Sequence, residues 1–170
     1  MDIDHASTVL ATGTTRRPGG VPRQVIQFLV KGPAEKRSAV ARWGINLLAV
    51  AGAVFLVWSS VIHLQLWSDG YDDISVIGPL FLAQGIAGIV IALAVVAFRR
   101  LVLLAAGAVT LAATAVGLLL SVHTGLFGYR ESLAVPYAES SLVIEFTGTA
   151  VLAIAAVAVL VAPSRPRANL

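Results

Sequence analysis

Four polar side chains at or within the long apolar runs could carry chemistry: His63, Gln84, His123 and Glu145. They recur in pairs. His63 is followed by Gly70-Tyr71 and then, 21 positions after the histidine, by Gln84; His123 is followed by Gly128-Tyr129 and then, 22 positions on, by Glu145. An imidazole can ligate a metal or haem, or exchange protons near neutral pH. A carboxylate or an amide inside an apolar segment needs a partner, because a bare polar group there is expensive. Two chemistries follow. His63 and His123, on different helices, can act as axial haem ligands, which makes haem the candidate cofactor. Alternatively, His63, Gln84, His123 and Glu145 form one polar network, either structural or built to take a proton or a ligand. No third or fourth ligand stands at metal spacing, so no metal site is assigned. HExxH, Walker A and GxSxG arrangements are missing too, so no residue is assigned as catalytic. With no cysteine there is no thiolate chemistry and no disulfide. Asp69, Asp72 and Asp73 surround Tyr71 without the twelve-residue calcium-loop pattern, and read as a solvated loop.

The elements that position these residues are helices. Hydrophobic residues make up 58% of the chain against 12% charged, and the mean hydropathy of +0.88 is far above that of a soluble domain of this size. The apolar residues fall in blocks of about 20, the length that crosses about 30 Å of hydrocarbon. The expectation is an all-α membrane protein with four transmembrane helices, at about 43–64, 77–98, 101–123 and 141–162, in an up-down bundle. A polar, basic tail occupies 1–42. Its Thr, Gly and Pro content points to mobility, and nothing in it reads as a signal peptide. A short basic tail follows at 163–170. Trp43 opens the first helix, while Trp58 and Trp67 lie near its far end, as interfacial belts require. Pro79 falls in the first turn of the second helix, where its missing amide hydrogen costs little. Gly78, Gly85 and Gly88, with Ala83 and Ala87, give that helix a small-residue face for close packing. Arg99-Arg100 is the whole charged link to the third helix, so the turn must be tight.

Charge sets the orientation. Of twelve Lys plus Arg residues, seven precede the first helix, two lie in the Arg99-Arg100 turn and two follow the fourth helix. Only Arg130 falls on the other side. The positive-inside bias therefore puts both termini in the cytoplasm of a bacterial plasma membrane, with the two acidic passages outside. Because the basic residues flank apolar segments and form no single recognition surface, nucleic acid is rejected as a partner. The two His…Gly-Tyr…Gln/Glu hairpins suggest a parallel two-hairpin repeat.

The passage HLQLWSDGYDDISVIGPLFLAQGIAG resembles one found in small four-span membrane proteins of actinobacteria. The resemblance rests on His63, Leu66, Trp67, Gly70, Tyr71, Ile74, Ile77, Gly78, Phe81, Leu82 and Gly88. It covers about 25 residues strongly and the four-span plan loosely. It implies an actinobacterial inner-membrane protein and supplies no reaction. Relatives often carry a basic residue after Gly-Tyr where this chain has Asp72, so any role of that residue does not transfer. Size and topology are also similar to DoxX-like four-helix proteins.

Three functional classes follow. The leading one is a non-enzymatic integral membrane protein, an accessory or interaction subunit, whose partners are membrane lipids and a homo-oligomer or larger membrane complex. Its soluble parts are too short for a catalytic domain. The second is a small haem- or ligand-binding redox protein that uses the histidines at the outer face. The third is a transporter or channel formed by an oligomer.

Overall fold

The computed structural model describes residues 38–161. The tails expected at 1–42 and 163–170 lie outside the described residues, apart from 38–42. Four helices follow in order: α1 (Ala39–Ser68), α2 (Ile77–Phe98), α3 (Leu101–His123) and α4 (Ala138–Val161), with a single 3-10 turn at Tyr71–Asp73 between the first two. Each helix is apolar and long enough to cross a bilayer, consistent with a multi-pass membrane protein.

Local chemistry explains the ends. α1 starts at Ala39, four residues before Trp43, because Ser38 caps it by accepting the Ala41 amide at 3.2 Å. Its 30 residues extend about 45 Å, well past the hydrocarbon thickness. It stops where the Asp69 amide turns back onto Gln65 and Leu66, before Gly70 at φ 114°. α2 ends at Arg99 in the left-handed region, and the Arg100 carbonyl takes the first amides of α3. Two residues therefore reverse the chain, and the Arg100 guanidinium rests 5.5 Å from the centre of the Phe98 ring. α4 starts at Ala138, three residues before Ser141, with Glu139 in a first turn that favours negative charge.

The chain runs up and down. α1 packs on α2 and α4, and α3 packs on α4 and α2. Across the bundle α1 and α3 also touch, so α2 and α4 take the wider diagonal. The core is a column of fully buried Leu56, Val95, Leu104, Leu111, Leu152 and Val159. Glycines let these side chains in. A Cβ at Gly52 would collide with Leu152, at Gly85 with Leu64 (2.5 Å), at Gly107 with Leu56 (2.9 Å), and at Gly148 with Leu111 and Phe55 (both 2.6 Å). A Cβ at Gly88 would run into the Ser60 hydroxyl. Each of these sockets involves α1 or α4. α2 and α3 have the tightest connection but are the least closely packed of the neighbouring pairs. The outward-facing positions include large apolar residues, among them Val54, Leu93, Val109 and Val157, consistent with contact to lipid.

Candidate functional site

The site lies at the loop end of the bundle, opposite the Arg99-Arg100 turn. Glu145 is two turns into α4, about 10 Å from its start. Its side chain is 1% exposed. Two hydroxyls reach one of its oxygens: Ser59 of α1 donates to Oε1 at 3.2 Å, and Ser141, one turn earlier on α4, donates at 3.0 Å. The other oxygen, Oε2, is buried without a hydrogen-bond partner. The Thr114 hydroxyl approaches the carboxylate but donates its proton to the Leu111 carbonyl at 2.8 Å. His63 joins from the same face of α1. Its Nδ1 lies 2.8 Å from the Ser59 carbonyl, and donation to that acceptor leaves Nε2 with its lone pair.

His63, Thr114, Ser141 and Glu145 line a cavity of about 290 Å³. α1 contributes His63 and Leu66; α2 contributes Ile77, Phe81 and Gln84; α3 contributes Ala113, Thr114, Gly117 and Leu118; α4 contributes Ser141 and Glu145. Two features keep the space open. The α2–α3 seam has no glycine socket to close it, and α3 presents small residues there. A Cβ at Gly117 would meet nothing within 4 Å. Gln84 Nε2 is a second buried polar atom on the cavity wall without a partner.

A clasp between the two loops roofs the cavity. Tyr71 donates to Glu131 Oε2 at 2.7 Å, and Tyr129 donates to the same oxygen at 3.2 Å. Glu131 Oε1 accepts the Ser132 amide, and the Glu131 amide bonds Ser121 at the end of α3. Tyr71 stacks on Phe81 at 5.0 Å between ring centres and meets Tyr129 edge-on at 5.9 Å. Burial, with the Glu131 charge adding to it, pushes both phenols above their ordinary range, so they remain hydrogen-bond donors. Tyr129 closes a two-residue hairpin by exchanging both backbone bonds with Leu126. That turn holds Phe127 at φ 52° and Gly128 at φ 82°.

No family model, curated protein or solved structure matches the chain. The chemistry must therefore be read from the site. The structure brings His63, Gln84 and Glu145 to one cavity. His123 is exposed, does not line the cavity, and is contacted through its carbonyl by Arg130 at 3.4 Å. Among the described residues, no three His, Asp or Glu side chains cluster to hold a metal ion. Sequence reasoning passed over Ser59, Ser141, Thr114 and the acceptor role of Glu131. A signal for the first two was there: Ser59 stands four residues before His63, and Ser141 four before Glu145, the spacing that shares a helix face.

Proposed function

We propose that this is a multi-pass plasma-membrane protein without catalytic activity that holds a small ligand in the cavity at the outer, loop end of its bundle, with both termini in the cytoplasm. The observation that carries the reading is the pair of buried, unpartnered polar atoms, Glu145 Oε2 and Gln84 Nε2, on the wall of one cavity. Buried polar atoms of a structural network are paired with protein groups or ordered water. A ligand with complementary groups supplies the missing partners. The long apolar helices supply lipid contact, and the eleven-to-one division of basic residues supports the orientation. The cavity favours a ligand over a haem held by both histidines, because only His63 reaches it.

Native-membrane purification in mild detergent, followed by mass spectrometry of bound small molecules, tests this. Gly117→Leu is the control. It fills the open space from α3 while improving helix propensity by about 1 kcal/mol. The wild type should retain a molecule that the folded Gly117→Leu variant lacks. An identical small-molecule complement in the two preparations would count against the cavity as the binding site. A visible-region spectrum on the same sample reads haem directly.

A further inference from the structure

We propose that the ligand is an organic monocation with apolar substituents, an amine or quaternary ammonium; the inference rests on the ligand-cavity reading above. The cavity wall has two carboxylates, Glu131 and Glu145, and no lysine or arginine. The nearby Arg130 turns its guanidinium to the His123 carbonyl. Glu131 is satisfied by two tyrosine hydroxyls and an amide, so it contributes field without offering a free oxygen. Glu145 is different. It is 1% exposed, Oε2 is free, and no Lys or Arg among the described residues pairs with it. An anion entering here would meet two carboxylates. A cation is the ligand class that gains a charge–charge contact with this carboxylate, whereas a neutral ligand gains at most a hydrogen bond to it.

The remaining lining matches the same ligand. Phe81, Tyr71, Tyr129 and Tyr137 surround the cavity with ring faces and edges, and aromatic faces attract ammonium groups, most strongly where water is excluded. His63 Nε2 adds an acceptor. Gln84 Nε2, a buried donor on the wall without a partner, is placed to donate to an oxygen on the same molecule.

The test uses the full chain in uncharged detergent micelles and three probes of one size: benzyltrimethylammonium, its neutral isostere neopentylbenzene, and benzenesulfonate. Binding is read by equilibrium dialysis against protein-free micelles. Benzyltrimethylammonium should bind at least about tenfold more tightly than either other probe. Glu145→Gln should lower cation affinity by about tenfold or more while leaving neopentylbenzene unchanged. Gly117→Leu should abolish binding of the cation. Equal binding of the cation and its neutral isostere, insensitive to Glu145→Gln, overturns the inference and leaves the ligand cavity standing. Preference for the sulfonate overturns it as well. Cation binding that survives Gly117→Leu places the cation outside the cavity and overturns it. If none of the probes binds, the inference fails, and the native-membrane mass spectrometry, which does not depend on probe charge, decides separately whether the ligand cavity fails with it.

Discussion

At the residue scale, Glu145 holds its end of the bundle together by accepting from two helices at one oxygen. Ser59 and Ser141 are both buried, and both donate to that oxygen. Glu145→Gln keeps a carbonyl oxygen where Oε1 stands, so its thermal aggregation midpoint in detergent should stay within a few degrees of wild type. Glu145→Leu removes the acceptor. Stranding a buried hydroxyl costs about 1–3 kcal/mol. The loss should fall at the lower end of that range, because serines on a helix can bond back to their own carbonyls. A leucine variant as stable as wild type would remove Glu145 from the interhelical contact and leave Ser59 and Ser141 satisfied by their own helices. His63, Gln84 and Glu145 were legible as a group because they are polar residues in apolar helices. The Tyr71–Glu131 bond was not, because it joins residues 60 positions apart and depends on how the two loops fold over the cavity.

At the element scale, packing rests on glycines that admit a neighbour's side chain. In lipid, helices gain nothing from burying one apolar face in preference to another, so close approach decides which faces meet. Gly88 touches Ser60 of α1, whereas Val90, two residues on, is 59% exposed to the lipid side. Gly88→Leu should therefore lower the thermal aggregation midpoint clearly, by overpacking of about 1–3 kcal/mol or more, and Val90→Leu should leave it unchanged. Equal midpoints would take Gly88 out of the α1–α2 contact. The two hairpins share more than the motif residues. Gly70 and Gly128 both take positive φ, and Val76 and Tyr137, each just before a helix, adopt φ 66° and 70°. The buried faces of α2 and α4 align at a spacing of 60, pairing Gly88 with Gly148, Ala92 with Leu152 and Val95 with Ala155. In that register Glu145 matches Gly85 and not Gln84. One residue is about 100° of helix, so the two cavity-wall residues differ in depth: Glu145 is buried and Gln84 half-buried.

At the scale of the whole molecule, the testable property is sidedness. The chain has no cysteine, so single introduced thiols report without background. Cysteines at Ser68 and Ser132, both exposed at the loop end, should react with an impermeant thiol reagent in intact cells. Cysteines at Thr14 and Ser164, in the tails outside the described residues, should react only after permeabilisation. Reaction of the tail sites in intact cells would invert the proposed orientation.

What the amino-acid sequence determined by itself is one-dimensional: four apolar runs of spanning length, the tight Arg99-Arg100 reversal, the distribution of basic residues, and the presence of a few polar groups too costly to leave unpartnered. Each is a sum or a spacing along the chain, and each acts through local hydration. The tertiary structure alone decided the rotation of each helix about its axis. Helices that are apolar on every side carry little periodic signal for which side faces lipid, so only small and polar residues hint at it. That rotation buried His63 and exposed His123, brought Ser59 to Glu145 across 86 residues, and left the space beside Gly117 unfilled. A cavity is what remains after all four helices have packed, and no segment of the chain encodes it separately.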